Sequence, residues 1–443
     1  MRQAVLVGGL GFGDEGKGSI VDFLTHHHKA GLVIRHNGGP QAAHNVVEPS
    51  GRWHTFAQFG SGTFAGAQTY LSRFMFVDLG ALANEAHHLE EVGVAKPFEG
   101  LHVDRECPLV TPYHALVNRI AEAARGPVAK HGSCGMGFGE AVEDSIKYGP
   151  VATLIAADLE NPVRLRHKLA AIYDRRLPLI ARGSSTEQLQ SVPKPEQLAE
   201  RYLDIGRHLQ LVDRDFLMER NDDTMIFEGA QGALLHQDLG FSPHVTWSDT
   251  SFENAKCLLV EAYFAGHIRT IGVTRSYHTR HGEGPMPTEH DGLIKYEEHN
   301  RDDSHQGRFR TGDLDLVLLR YGISILGCAE IAMTHMDVVR PGRRMVQRYE
   351  VLPHFQSFFA EDGTQIKQGP ADYHRRFGLT QAMSDPGAIK TEHAILQLNE
   401  ESVEESPVDI FASAFLDTIE RHVEGPRVTL LSRGPTRLDK LEI

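Results

Sequence analysis

Gly11-Phe12-Gly13-Asp14-Glu15-Gly16-Lys17-Gly18-Ser19 is the stretch on which the reading of this chain turns. It follows the apolar run Ala4-Val5-Leu6-Val7 and precedes Ile20-Val21-Asp22-Phe23-Leu24. The run is too short and too rich in valine for a helix, so a buried strand is expected. Helical spacing puts Ile20, Phe23 and Leu24 on one face of the element that follows. Strand, glycine loop and helix together make a phosphate cradle. Glycines let backbone N–H groups reach anionic oxygens, and the helix N-terminus adds partial positive charge. Lys17 then meets a phosphate as a point charge. Gly11, Gly16 and Lys17 keep the spacing of a Walker loop, but Gly18 stands where Ser or Thr normally holds magnesium. Asp14 repels phosphate unless a metal lies between them or the carboxylate has a proton to move. The bland alternative is an ordinary strand-to-helix turn.

The 443 residues suffice for one large α/β domain or two ordinary ones. With 41% hydrophobic and 23% charged residues, a sizeable core is expected and disorder is not. The formal charge of -14 argues against general nucleic-acid binding. Cys107, Cys134, Cys257 and Cys328 are scattered without a CxxC pair, which reads as reduced thiols in a cytoplasmic compartment. The N-terminal apolar run is broken by glycines and meets Asp14 and Glu15, unlike a secretory signal. No run is long enough for a bilayer, so no membrane partner is expected. Among the 26 histidines, His26, His27 and His28 read as an exposed helix end, and no pair shows convincing zinc-ligand spacing with a supporting second shell.

Further along, Gly31 to Arg35 is a second strand candidate. It enters the loop Asn37-Gly38-Gly39-Pro40-Gln41-Ala42-Ala43-His44, whose histidine matters only if the fold sets it opposite Asp14. Residues 79–92, 113–124, 163–180 and 196–220 read as helices. Lys130 to Glu140, with four glycines in eight residues, is a second candidate anion loop or a flexible turn. Thr224 to Phe227 reads as a strand ending in a loop from Glu228 to Ala233, with a polar stretch from Thr246 to Thr250 beyond. Strands are likewise expected at Thr270 to Val273, at Ile331 to Met333 before Thr334-His335-Met336-Asp337, and at Val428 to Leu431 before Ser432-Arg433-Gly434-Pro435. Residues 301–315 read as a charged loop whose Arg308 and Arg310 clamp a carboxylate or phosphate, or as a solvated charge run. Apolar strands that repeatedly end in loops of small or functional residues point to one site along the C-terminal edge of a largely parallel sheet.

Taken together, these pieces resemble the adenylosuccinate synthetase family. The likeness is carried by residues 13–18 with 20–22, Gly38-Gly39 leading to His44, Cys107-Pro108-Leu109 with Tyr113-His114, and Gly137-Phe138-Gly139 leading to Glu143-Asp144. It continues through Phe227-Glu228-Gly229-Ala230-Gln231-Gly232, Gly284 to Glu289, Gly307-Arg308, Asp337 and Ser432 to Pro435. The resemblance implies a large, mainly parallel sheet flanked by helices, in a single domain over residues 1–443. A mostly helical insertion would fall at about 160–220 and an unmatched region at about 345–425. It also implies a homodimer that joins IMP and aspartate, consumes GTP as co-substrate, and uses one Mg2+ per subunit. Asp14 and His44 would be the catalytic pair, with Lys17 and Gln231 completing the reacting centre. Gly13, Glu15, Gly16, Gly18, Gln41, Cys134, Thr246, Arg308, His335, Asp337, Ser432 and Gly434 would contact nucleotide. Arg308, Arg310 and His305 would hold the amine substrate, and Asp14 with the Ala43 carbonyl would hold the metal.

The chain also departs from the family pattern. Gln41 replaces an asparagine, Ala43 a glycine, Ser133-Cys134 a Thr-Thr pair, His305-Gln306 another, and His335 the guanine-reading lysine; Lys147 or Tyr148 stands where an arginine reaches the neighbouring subunit. The reacting centre is kept while the recognition residues differ. Alternatives are therefore a relative acting on another 6-oxopurine nucleotide or amine, an unrelated P-loop kinase, and a silent nucleotide-binding protein.

Overall fold

The run at residues 4–7 is the middle of β1 (Gln3–Gly9), buried from Ala4 onward. Its side chains alternate between two cores. Val5 and Val7 pack with Ile20, Val21 and Leu24 of α1 (Lys17–His28). Ala4 and Leu6 face the other way, among Phe252, Leu258 and Leu319. Each such side chain contributes about 1.5–3 kcal/mol through burial. A strand apolar on both faces belongs inside a parallel sheet covered on both sides.

The computed structural model describes residues 2–129, 133–296, 307–340, 344–351, 389–395, 407–423 and 425–443. After β1 the strands are β2 (Leu32–Arg35), β3 (His44–Val47), β4 (Trp53–Phe56), β5 (Gln68–Leu71), β6 (Val77–Asp78), β7 (Leu101–Asp104), β8 (Leu109–Val110) and β9 (Gln210–Val212). Then come β10 (Thr224–Gly232), β11 (His267–Arg275), β12 (Tyr277–His281), β13 (Phe309–Asp315), β14 (Glu330–Thr334), β15 (Arg344–Val351), β16 (Ile389–Ile395), β17 (Arg427–Ser432) and β18 (Lys440–Glu442). The main sheet has ten strands in the order β18-β17-β14-β11-β1-β10-β2-β5-β7-β9. Every neighbouring pair in it is parallel except β17 with β18. The expected mostly parallel sheet flanked by helices is therefore present. The C-terminal ends of β1, β2, β10, β11, β14 and β17 share one edge, where a parallel sheet places its ligands.

Three expectations are corrected. Residues 228–232 continue β10 rather than forming a loop, although Gln231 has a positive φ of 65° and the register with β1 shifts there. Residues 196–220 are not one helix. A helix at Pro195–Gly206 gives way to β9, which joins the edge of the sheet beside β7, and to a short helix at Phe216–Glu219. Helices Pro162–Gly183 and Pro195–Gly206 pack with residues 79–91 around a second apolar cluster. Residues 309–315 are a strand, not an open loop. The charged alternation conceals an antiparallel ladder with β12 that buries Phe309, Thr311 and Asp313. Most of the unmatched region at about 345–425 lies outside the described residues. No helix among the described residues is long and apolar enough to cross a membrane.

Candidate active site

Between β1 and α1 the chain turns on Gly13, Asp14 and Gly16, whose φ angles are 102°, 48° and 90°. A left-handed aspartate costs about 1–2 kcal/mol, and neighbouring strands hold it in place. Arg275 at the end of β11 donates to the Asp14 carbonyl. Thr334 at the end of β14 donates its hydroxyl to the Glu15 carbonyl at 2.6 Å. The Leu234 N–H, just past β10, donates to the Gly11 carbonyl at 3.1 Å.

Glu15 points back into its own loop. Its Oε1 accepts from the N–H groups of Gly11 (3.0 Å) and Gly13 (2.8 Å), and Lys17 Nζ donates to Oε2 at 2.6 Å. The Glu15 and Lys17 side chains are both buried. The donors expected for a phosphate thus already hold a carboxylate.

Gly18 also gains a reason. A Cβ there would lie 2.8 Å from His44 Cβ and 3.0 Å from the His44 carbonyl carbon. β3 crosses the first turn of α1 too closely for the usual Walker hydroxyl. Gly18→Ser is therefore expected to destabilise the fold by about 1–3 kcal/mol through overpacking. Thermal unfolding reads this as a lower melting temperature, and an unchanged one would mean that β3 yields freely.

Asp14 is partly exposed, with Oδ2 3.2 Å from His281 Nε2 on β12. Burial alone would raise its pKa. The His281 hydrogen bond and charge, with Arg275 and Lys17, outweigh that and hold Asp14 below its ordinary value. His44 is buried, and its Nδ1 lies 2.5 Å from Glu228 Oε1 on β10. Glu228 also accepts from the Ser61 backbone N–H at 2.9 Å and from the Ser61 hydroxyl. Burial opposes ionisation of Glu228, but Arg35, His44 and Ser61 bring it down to about 2. Burial, with Arg35 and Lys17, lowers His44 against the upward pull of Glu228. The resting state is a neutral imidazole donating from Nδ1 to an ionised carboxylate, with the lone pair on Nε2. Asp14 and His44 thus have separate partners, while the charge of Lys17 acts on both.

At the other end of the site, His335 has a φ of 56° and lies 3.1 Å from the Thr334 hydroxyl through Nδ1, with its ring edge-on to Tyr277. Burial, then Arg275 and Lys440, holds it far below its ordinary pKa, so it is neutral. Asp337 is exposed just beyond. On neighbouring β17, the Ser432 hydroxyl donates to the Gly434 carbonyl at 3.2 Å, and Lys440 Nζ donates to the same carbonyl at 2.8 Å. Burial takes Lys440 down to about 8 in spite of Asp439, Asp22 and Asp337. A lysine therefore does reach this corner, but from β18.

Arg308 and Arg310 converge on a carboxylate, but it is that of the chain's own Glu289. Arg308 donates to Oε1, while Arg310 donates to Oε2 at 2.7 Å and to the Gly284 carbonyl at 2.9 Å. Gln41 keeps a buried Oε1 without a hydrogen-bond partner among the described residues. Ala43 is exposed, Cys134 and Thr246 are half-buried, and Thr246 donates its N–H to the Leu235 carbonyl at 2.8 Å. His305 lies outside the described residues. An ionised, partly exposed carboxylate beside a phosphate loop suits Mg2+, which takes one or two carboxylates and completes its shell with phosphate oxygens and water.

Glu228, Ser61, His281, Arg275, Thr334 and Lys440 had no role assigned from sequence. Glu228 carried a usable signal, a carboxylate following directly on an apolar strand. The others become visible only when strands far apart in sequence are neighbours.

A family model described as adenylosuccinate synthetase matches residues 5–440. The chain belongs to the adenylosuccinate synthetase family. It is similar to the adenylosuccinate synthetase of Pseudomonas fluorescens strain SBW25, with 31% identity over 99% of this chain and 97% of the relative. The Neisseria gonorrhoeae (strain ATCC 700825 / FA 1090) adenylosuccinate synthetase is 32% identical over 76% of this chain and 78% of its own length. The fold is similar to that of fully ligated adenylosuccinate synthetase from Plasmodium falciparum, with a TM-score of 0.77, 20% identity and 99% of both chains covered. It is also similar to a cyanophage S-2L succinoaminodeoxyadenylate synthetase bound to dGMP and dATP, with a TM-score of 0.61, 16% identity, and 100% of this chain and 95% of that chain covered. Membership in the adenylosuccinate synthetase family removes the reading as an unrelated P-loop kinase.

Proposed function

We propose that this chain is a GTP-dependent ligase that joins IMP and L-aspartate into adenylosuccinate, working in the cytoplasm as a homodimer with Mg2+. The observation that carries the reading is the ionised Asp14, held at the mouth of a phosphate loop by Arg275 and His281. A plain phosphate-binding module has no use for a base there.

The chemistry has two steps. An amide-like oxygen at position 6 of the purine is a poor leaving group. Asp14 removes the N1 proton, electron density moves onto the 6-oxygen, and that oxygen attacks the γ-phosphoryl group. The GDP leaving oxygen takes the bond pair. Lys17 and the loop N–H groups stabilise the charge on the transferring group, which is where most phosphoryl-transfer catalysis originates. Mg2+, held by Asp14 and the Ala43 carbonyl, would neutralise part of the phosphate charge. His44 rests neutral with Glu228 behind it. The incoming polyanion favours its protonation, and the imidazolium then donates from Nε2 to the phosphoryl oxygens. In the second step the amine attacks C6 and the phosphate leaves. Gln231, at the strained end of β10, would orient the 6-position, and the Arg308–Arg310 fork would exchange Glu289 for the aspartate carboxylate.

A second reading keeps this chemistry on another 6-oxopurine nucleotide or with another amine. It is favoured by Gln41, whose buried Oε1 has no hydrogen-bond partner among the described residues, and by the departures at Cys134, His305 and Gln306. The neutral His335, with Lys440 arriving from another strand, bears instead on the base of the phosphoryl donor. Amine-dependent phosphate release from a substrate panel separates the readings. IMP, GMP and dGMP are each paired with aspartate or another amino acid, with GTP, ATP and dATP as donors. Turnover with IMP, aspartate and GTP above all other combinations is expected. Turnover only with another pair would replace the first reading by the second, and nucleotide binding without phosphate release under any pair would leave a silent nucleotide-binding protein.

A further inference from the structure

The last turn of α1 carries His26, His27 and His28, and β18 brings Glu442 against it from the far end of the chain. Ligating atoms of His27, His28 and Glu442 all lie within 4.8 Å of one another. His27 Nε2 is 3.2 Å from Glu442 Oε2, and His28 Nε2 is 3.8 Å from Oε1. We propose that these three side chains form a binding site for a divalent transition-metal ion of the zinc class, separate from the nucleotide site and its magnesium.

The donor set selects the class of ion. Two imidazoles with one carboxylate suit zinc, nickel or copper, whereas magnesium and calcium prefer oxygen alone. The rings are already oriented. His27 stacks on Phe23 with centroids 5.4 Å apart, and its other neighbour is the His28 ring, edge-on at 4.9 Å. The tautomer of His28 suits a metal. Arg269 Nη1 lies 3.3 Å from His28 Nε2, and a guanidinium has only donors, so this nitrogen presents its lone pair. Arg269 itself is anchored on Glu330 by contacts of 2.9 and 2.7 Å and reaches Glu442 Oε1 at 3.0 Å. It thereby fixes the carboxylate and turns Oε2 toward His27, the service an outer partner gives a metal ligand.

Charge agrees with this assignment. With neutral imidazoles, Arg269, Glu330 and Glu442 sum to one negative charge, and the C-terminal end of α1 adds a partial negative charge. Ligand atoms around tetrahedral zinc stand roughly 3.3 Å apart. The His27–Glu442 pair already meets that spacing at 3.2 Å, and a closer approach of the His28 side chain, now 3.8 Å from Glu442, brings in the third. The ion replaces the guanidinium N–H at His28 while Arg269 stays on Glu330. Half-exposed His27 leaves the outer side open for water to complete the shell.

The test uses untagged full-length protein, stripped with chelator and titrated with Zn2+ by calorimetry or dye competition, with millimolar Mg2+ present throughout. One ion per chain with a micromolar or lower Kd is expected, accompanied by a higher melting temperature. His27→Ala and Glu442→Gln should each weaken binding at least tenfold, and His26→Ala should leave it unchanged. Melting of each variant without metal checks folding, and His28→Asn stands in for any variant that fails that check. Absence of Zn2+ binding overturns the proposal, as does binding that survives both His27→Ala and Glu442→Gln.

Discussion

Asp14→Asn is expected to lower turnover by about two orders of magnitude or more while leaving the melting temperature nearly unchanged. The loss follows from the chemistry. An amide cannot take the purine N1 proton, and general-base help of this kind is worth about 10²–10⁴-fold. The fold should survive because asparagine tolerates the left-handed backbone that this position requires. Its amide oxygen can still accept from His281, and the Arg275 and Thr334 hydrogen bonds go to backbone carbonyls that the substitution leaves in place, while the charge of Arg275 loses its partner carboxylate. Turnover is measured at saturating nucleotide and amine alongside thermal unfolding. Near-normal turnover would strip Asp14 of its proton-transfer role, and a collapsed melting temperature would recast it as a structural residue.

The second large effect concerns His44 and the carboxylate behind it. His44→Asn should cost about two orders of magnitude in turnover, as loss of a donor to a developing oxyanion does. Glu228→Gln should approach that loss although Glu228 is placed behind the imidazole rather than at the reacting atoms. The ionised Glu228 accepts from His44 Nδ1 and from both Ser61 donors. A glutamine must turn its NH2 toward one of these donors, which leaves either the histidine or the serine misplaced. It also removes the negative charge that supports the imidazolium. A positioning role is separated from a merely structural one by the pH dependence of turnover. With Glu228 present, Glu228 raises the His44 pKa against burial. In the variant the protonated imidazole is harder to form, so the limb of the profile that reports it should move to lower pH. A drop in turnover with no displacement of that limb would leave Glu228 as packing only.

Much of the sheet was legible because its central strands are buried on both faces. Residues 4–7, 31–35, 270–273, 331–333 and 428–431 are short apolar runs followed by small polar loops, and each falls in a strand of the main sheet, apart from Gly31, which precedes β2. The turn from β1 into α1 was legible for another reason, since its glycines and Lys17 are local in sequence. The antiparallel pairing of β12 with β13 was not legible. Arg308, Arg310 and Asp313 give residues 308–313 the profile of a solvated run, and only pairing with β12 shows why charge is tolerated there. The partners of the reacting groups were hidden by distance along the chain. Glu228 lies 184 residues from His44, and nothing local in either stretch announces the pair. The cluster of His27 and His28 with Glu442 is an extreme case, because a helix end read alone shows only exposed imidazoles.

Glu15 has a consequence for the order of events at the loop. A phosphate approaching it meets donors that are already engaged, so entry is a trade of one anion for another and not the filling of an open positive socket. The trade returns little by itself, since the N–H groups and Lys17 lose one oxygen partner as they gain the next. A bare inorganic anion therefore has little to offer the free protein. Under the proposed function, only a molecule that also settles its base and sugar elsewhere along the sheet edge brings enough contact to evict the carboxylate, and the latch would then discriminate whole nucleotides from their fragments.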